Sequence, residues 1–186
     1  MKRASPDTRM EPPSQSTETL ADGRRVIVRP IRPGDVERNA AFLESLSPPS
    51  KHFLFLGAIS RLSDEQLRRL CDLDYADDMA FVALAADGSS AAAPRQVGVC
   101  RYAGAGDVAH GAEISVAVAD DWQHQGLGAL LLRRLIDYAR AHGVPRLYSM
   151  DSIYNDRMRK LARQLGFAEH ADPQDPRQVI FSLMLR

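Results

Sequence analysis

The sequence predicts a single α/β (α+β) domain, and three patterns in the 186-residue chain support this prediction. Runs such as residues 79–85 and 112–119 are short and rich in apolar and β-branched residues, as sheet strands are. Residues 126–142 repeat leucine at helical spacing. The second strand leads through a glycine turn directly into this helix, an order typical of folds that combine a sheet with packed helices.

The first half of the chain is predicted to form one strand followed by helices. Residues 1–20 are rich in Pro, Ser, Thr and charge, so we expect a disordered tail, with the folded domain over 21–186. A strand is expected around Val26 and Val28. Three helices are expected next, over residues 35–46, 51–56 and 63–73. The last of these begins at Ser63, which forms a capping-box pattern with Gln66.

The second half is predicted to contain most of the strands. Strands are expected over residues 79–85, 96–102, 112–119, 146–150, 167–170 and 179–185. Helices are expected over residues 126–142 and 155–165. Gly143 and Pro145 end the first of these helices, and Gly166 ends the second. The resulting order is a central strand–helix–strand unit followed by a helix and a closing hairpin.

Charge and cysteine content exclude several classes of function. The chain has 24 basic and 24 acidic residues, so we expect neither nucleic acid nor a membrane as a partner. Cys71 and Cys100 form no Cys-x-x-Cys pair, so neither a disulfide framework nor a metal site is predicted. Both are expected to be buried in the core rather than to act as nucleophiles. The N-terminus lacks the apolar segment of a secretion signal, and a reducing cytoplasm is the expected location.

Residues 113–128, EISVAVADDWQHQGLG, predict a turn that binds an anion. A strand, a glycine turn and a helix in this order bring several unpaired backbone N–H groups and the positive end of a helix dipole to one place. A pyrophosphate is the expected ligand. The alternative is a tight turn in which the glycines only reverse the chain.

The turn also carries a family resemblance. Gln123, Gly126 and Gly128 fit the pattern Gln/Arg-x-x-Gly-x-Gly/Ala, and Asn155 and the Leu165-Gly166-Phe167 ending follow in order. From about residue 21 to 186 the chain resembles the GNAT superfamily of N-acetyltransferases. The resemblance implies the GNAT fold, a mixed, mostly antiparallel twisted sheet with splayed central strands and flanking helices. It also implies acetyl-CoA as cosubstrate.

The resemblance further assigns residues to acetyl-CoA. The expected binding residues are Val116, Ala117, Val118, Gln123, His124, Gln125, Gly126, Leu127, Gly128, Ala129 and Asn155. Those from the strand would pair through their backbone with the pantetheine arm, and those from the turn would hold the pyrophosphate. Asn155 is a pantetheine ligand, a helix N-cap, or both. The basic residues of the same helix, Arg157, Arg159, Lys160 and Arg163, either are solvated or reach the 3′-phosphate.

Glu113 is the expected catalytic residue. A lysine amine has a reference pKa near 10.4, so deprotonating it at pH 7 costs roughly 4.6 kcal/mol, and a base must accept the proton. Glu113 lies at the head of the strand, on the face opposite Ile114, and would act directly or through a water. Apolar neighbours are expected to bury it and raise its pKa. An ordinary solvated strand glutamate is the alternative, and His110 is an auxiliary proton carrier at most.

One departure from the GNAT pattern concerns the acid that protonates the leaving thiolate. Many family members have a Tyr seven residues after the Asn, where this chain has Ala162. Tyr154 is close in sequence but out of register. The thiolate is therefore expected to leave without a dedicated acid.

The segments VRPIRPGD, FLESLSPPSKHFLFLG and LDYADDMAFVAL resemble the acetyltransferase domain of the Pat-type bacterial protein lysine acetyltransferases. This resemblance implies a protein lysine as acceptor, for example on an acyl-CoA synthetase. A small amine is the alternative acceptor, and a non-catalytic acyl-CoA sensor is the alternative outside enzymes. A monomer or homodimer is expected.

Overall fold

A computed structural model describes residues 11–55, 62–86, 94–105 and 111–185, except for the side chain of Phe55. The strands are β1 (Ser16–Thr19), β2 (Arg25–Pro30), β3 (Met79–Ala85), β4 (Gln96–Ala103), β5 (Ala112–Val118), β6 (Arg146–Ser152), β7 (Ala168–Ala171) and β8 (Gln178–Met184). The helices are α1 (Val36–Ser45), α2 (Pro48–Phe55), α3 (Asp64–Cys71), α4 (Leu127–Ala141) and α5 (Asp156–Gln164). Short 3₁₀ turns precede α1 and follow β5.

The eight strands form one sheet in the order β1-β2-β3-β4-β5-β6-β8-β7. The pair β5 and β6 is parallel and the other neighbouring pairs are antiparallel. This confirms the expected mixed, mostly antiparallel sheet. The connection from β5 to β6 runs through α4, as a parallel pair requires.

The parallel pair separates soon after it forms. Ala112 pairs with Leu147 and Glu113 with Tyr148, while both strands continue beyond these positions. Gly111 allows the close approach at the start, because it has φ +80° and a Cβ there would lie 2.5 Å from the Arg146 carbonyl oxygen. The splayed central strands are therefore confirmed, and the split opens toward the carboxyl ends of β5 and β6.

Helix α4 packs against the sheet beside this split. Its buried face includes Leu127, Leu131 and Leu135, each about 1% exposed or less, whereas Arg133 and Asp137 are exposed. The helical spacing predicted this division. Tyr138, on the same buried face, donates a hydrogen bond to the Tyr75 carbonyl at 2.8 Å and so ties the helix to the loop before β3.

The prediction of a disordered tail up to residue 20 is wrong for its last residues. Ser16–Thr19 forms β1, which pairs with β2, and Leu20 is only 6% exposed. Arg134 of α4 donates hydrogen bonds to the Ser14 carbonyl and the Ser16 hydroxyl. Composition could not predict that this segment is folded, because the partners that stabilise it lie elsewhere in the sequence. Residues 1–10 lie outside the described part of the chain.

Candidate active site

A cavity of about 430 Å³ occupies the split between β5 and β6. Residues 113–118 of β5 line one wall, and β6 with α5 lines the other. The turn that leads into α4 closes one end, and Phe53 and Leu54 of α2 add an apolar side. Phe53 is half-buried and lines this cavity, whereas Phe42 is buried in the core.

The turn between β5 and α4 presents its backbone to the cavity. Gly126 is the N-cap of α4 with φ 85° and has no side chain to cap the helix, so the first N–H groups of α4 have no partner from a cap. His124 also has a positive φ, 63°. A Cβ on Gly126 would meet nothing within 4 Å, so this position is open. An open helix N-terminus of this kind suits a phosphate group.

The side chain of Gln123 braces the turn. Its Nε2 donates to the Val118 carbonyl oxygen at 3.0 Å, and its Oε1 accepts a hydrogen bond from Arg157 of α5. Beside it, Asp120 accepts hydrogen bonds from the hydroxyls of Ser47 and Ser50, at 2.7 and 2.8 Å. The turn is thereby tied to α2 and α5, and Gln123 has a structural role that its motif position did not reveal.

Most of the residues assigned to acetyl-CoA from the sequence line this one cavity. They are Val116, Ala117, Val118, Gln123, His124, Gly126, Leu127, Gly128, Ala129 and Asn155. Gln125 is the exception, because it lines a neighbouring cavity between β1 and α4. Pairing of β5 with β6 ends at Glu113, so beyond it one edge of β5 faces the split, while its other edge stays paired with β4.

Glu113 lies at the point where the two strands begin to separate. It lines the cavity and is exposed, while its neighbours Ala112 and Ile114 are buried on the opposite face. The expectation that apolar neighbours bury Glu113 is therefore wrong. The alternation of β5 assigned its face correctly, but nothing in the sequence showed that this face stays open to solvent at this position. His110 lies outside the described residues.

Asp151 of β6 is a functional candidate that the sequence reasoning missed. It is 7% exposed and lines the cavity. Its Oδ1 accepts hydrogen bonds from Asn155 Nδ2 at 3.0 Å and from the Ser152 N–H at 2.8 Å. Burial raises the pKa of its carboxyl group, and these hydrogen bonds oppose the shift. The available signal was its position, because Asp151 directly follows the strand predicted over 146–150 and continues its alternation with Leu147 and Ser149, both of which are buried.

Both polar atoms of the Asn155 side-chain amide form hydrogen bonds within the protein. Its Oδ1 accepts the N–H of Met158 at 3.1 Å, which makes it the N-cap of α5, and its Nδ2 binds Asp151. The N-cap interpretation is confirmed. A role toward the pantetheine stays a prediction for this buried, cavity-lining side chain.

Four further residues considered in the sequence, namely Ala162, Tyr154, Cys71 and Cys100, do not line the cavity. Ala162 is fully buried, and Tyr154 is 74% exposed and does not line the cavity. Burial raises the pKa of the Cys71 thiol to about 11 and that of Cys100 to about 12. Both thiols therefore stay protonated at neutral pH, and the expectation that they pack in the core rather than act as nucleophiles holds.

A family model decides the classification. The model described as the acetyltransferase (GNAT) family matches residues 43–167, which include α2, the cavity walls, the turn and α5. The chain belongs to the GNAT family. It is thus an acetyl-CoA-dependent N-acetyltransferase, as the resemblance implied.

Individual relatives agree with this classification. The chain is 45% identical to "Acetyltransferase PA5475" of Pseudomonas aeruginosa over 168 residues, 90% of this chain and 88% of that protein. It is 31% identical to "Acetyltransferase Pat" of Mycolicibacterium smegmatis over 77% of this chain but only 41% of that protein. The crystal structure of the GNAT domain of S. lividans PAT superimposes with a TM-score of 0.79 at 26% identity, covering 91% of this chain and 96% of that domain.

Two further observations concern the described part of the molecule. None of its helices is both long and apolar enough to cross a bilayer. Within the same ranges, no three His, Cys, Asp or Glu side chains are grouped so that they could hold a metal ion.

Proposed function

We propose that this GNAT enzyme transfers an acetyl group to a lysine side chain of another protein, with Glu113 as the general base. The observation that carries the proposal is the position of Glu113, which lines the acetyl-CoA cavity where β5 and β6 separate and is open to solvent. An exposed carboxylate can be reached by a side chain on a large partner. The Pat-type resemblance of the sequence implies a protein acceptor, and the chain is similar to a protein named Acetyltransferase Pat.

Two features of the cavity support the proposal that it binds acetyl-CoA, which supplies the acetyl thioester. The open N-terminus of α4 at Gly126 offers N–H groups for the pyrophosphate, through the backbone of residues 123–129. The backbone of residues 116–118 faces the split and offers partners for the amides of the pantetheine arm. Gln125 would contribute only its backbone here, because its side chain lines the neighbouring cavity.

The protein itself contributes proton transfer and the positioning of the amine against the thioester. Glu113 accepts the proton of the lysine amine, directly or through a water, as the amine attacks the thioester carbonyl. No tyrosine stands at Ala162, but an ordinary thiol pKa of about 8.5 makes the thiolate a good leaving group without an acid. The domain that performs this reaction is proposed to span residues 21–186 together with β1, in the cytoplasm.

Labelled acetyl-CoA tests the proposal directly. The protein is incubated with a purified acyl-CoA synthetase or with a panel of small amines, and label is followed in each acceptor. Label on a lysine of the synthetase supports the proposal. Label found only on a small amine would contradict a protein acceptor and would show that the enzyme acetylates small molecules. Binding of acetyl-CoA without transfer to any acceptor would favour a non-catalytic sensor.

A further inference from the structure

The exposed large apolar side chains of the described residues lie in one corner of the sheet. They are Met150 of β6, Met184 of β8 and Tyr154, which follows β6. Met150 is 39% and Met184 64% exposed. Single exposed apolar side chains are ordinary on a protein surface, whereas a group of them marks an interaction site. The corner formed by β6 and β8 is therefore a candidate docking surface.

The register of β6 and β8 brings several of these side chains to one side of the sheet. Met150 lies opposite Ile180, and Arg146 lies opposite Met184. Residues opposite each other, or two apart on one strand, share a side, so Tyr148 belongs to the same side. We call Tyr148, Met150, Ile180 and Met184 the open face. The residues that alternate with them point to the other side and are buried, as are Leu147, Val179 and Phe181.

Glu113 lies on the same side of the sheet as the open face. It is the register partner of Tyr148 in the parallel pair of β5 and β6. Ser115, two residues further along β5, lies opposite Arg101, whose guanidinium donates to the Leu70 carbonyl oxygen of α3 at 2.7 Å. Helix α3 is therefore on this side of the sheet at β4, whereas the exposed methionines show that the side is open to solvent at β6 and β8.

The spacing of the strands relates the open face to a lysine that reaches Glu113. Neighbouring strands lie about 4.8 Å apart, so β8 lies about 10 Å from β5 across the sheet. An extended polypeptide advances about 3.3 Å per residue, so a residue about three positions from the lysine spans that distance. The lysine ammonium is complementary in charge to the exposed carboxylate of Glu113, and its neighbours in the acceptor would then contact the open face.

We propose that the open face docks the acceptor protein by binding apolar residues about three positions from the acceptor lysine. The inference rests on the protein acceptor proposed above and adds the chemistry of the residues that surround the lysine. The carboxylate of Glu113 at the edge of the open face favours a lysine-bearing segment as the occupant. Methionine is flexible and packs against apolar side chains of different shapes. The open face therefore prefers apolar to polar neighbours of the lysine without selecting a single residue type.

Initial rates with synthetic peptides and acetyl-CoA test the docking surface on the whole chain. Each peptide carries one lysine, with either leucine or serine three positions before it or after it. Because a leucine side chain becomes partly buried on the open face, the wild type should acetylate the better leucine peptide with a kcat/KM about tenfold above that of its serine counterpart.

A double variant removes the apolar groups of the open face on β8. Ile180→Thr with Met184→Gln should reduce the tenfold preference to less than about threefold, because little apolar surface is left to bury the leucine. Ile27→Thr is the matched control. Ile27 is also a half-buried strand isoleucine, but it lies on β2, in the distant part of the sheet, so this variant should keep the preference of the wild type.

The ratio of the two peptides separates docking from a general loss of activity, because a folding defect lowers both rates alike. A wild type without preference for leucine, or a double variant that keeps the full preference, overturns the docking surface and leaves the protein acceptor in place. A wild type that acetylates small amines but no peptide overturns the proposed acceptor class itself. A wild-type dimer that the double variant converts to a monomer in analytical ultracentrifugation overturns the proposal in favour of a second copy of the chain.

Discussion

The two walls of the cavity offer a ligand different chemistry. The β5 wall and its turn present mainly backbone groups, with Glu113 as their charged side chain. The wall of β6 and α5 presents side chains, among them Asp151, Arg157 and Lys160. Backbone groups stay the same whatever side chain a position carries, so the β5 wall changes little with sequence. A side-chain wall lets a single chain adjust affinity and selectivity, so the two walls respond differently to mutation.

The largest effect is expected at the charged residue of the β5 wall. Glu113→Gln keeps the shape of the side chain but removes the base, so kcat should fall about 100- to 10,000-fold at pH 7. Initial rates of lysine acetylation measure the loss, and the Kd for acetyl-CoA should stay unchanged. A variant that keeps the rate of the wild type at neutral pH would show that another group accepts the proton.

A glycine substitution in the turn tests whether its backbone binds the pyrophosphate. Gly126→Glu places a carboxylate at the open N-terminus of α4, and acetyl-CoA affinity should fall at least about 100-fold, since a charged contact of about 3 kcal/mol is lost. Calorimetric titration measures it. Gly143→Glu is the matched control, because Gly143 also has a positive φ and open space but lies beyond the other end of α4. Equal affinities in the two variants would contradict the pyrophosphate assignment.

On the other wall, removal of Asp151 is expected to destabilise the start of α5. Asp151→Ala leaves Asn155 Nδ2 without its acceptor in a buried position, which costs about 1–3 kcal/mol of the free energy of unfolding. Urea denaturation measures it. Asp156→Ala removes an exposed carboxylate from the same turn and should cost less than about 1 kcal/mol. Equal decreases in the free energy of unfolding for the two variants would mean that the hydrogen bond between Asp151 and Asn155 does not stabilise the start of α5.

The smallest effect is a pH dependence at the same position. The pKa of Asp151 is raised in the folded protein, so its contribution to stability is full below the unfolded pKa near 3.9 and is lost as pH rises through the folded value. An asparagine at this position cannot ionise, so the Asp151→Asn variant does not lose this stability as pH rises. The difference in free energy of unfolding between variant and wild type should therefore shift in favour of the variant between pH 4 and pH 8. A difference that stays constant with pH would contradict the raised pKa.

The sequence predicted several strands and helices well because the signals for them are local. The strand at 79–85 was predicted with its observed bounds, and α4 differs from the prediction only at its ends. Ser63 and Gln66 form the predicted capping box of α3. Alternation, helical spacing and capping each depend on neighbours within a few residues, so they can be recognised without knowing the fold.

The features that the sequence did not predict depend on distant partners. β1 is ordered by its pairing with β2 and by Arg134, more than 100 residues away in the chain. The partners of the α5 cations also lie elsewhere in the chain, since Arg159 and Arg163 pair with Glu169 of β7, and Arg157 bonds Gln123 of the turn before α4. Helical spacing alone could not say which side of α5 would meet a carboxylate.

By itself, the sequence determined the order of elements, the glycine turn before α4 and the face of β5 from which Glu113 projects. Those properties follow from backbone preferences and side-chain periodicity within single elements. Only the tertiary structure decided that β5 and β6 part after Glu113, that Glu113 stays exposed and that Asp151 is buried beside Asn155. Burial and charge neutralisation are set by which elements pack together, and that information is distributed over the whole chain.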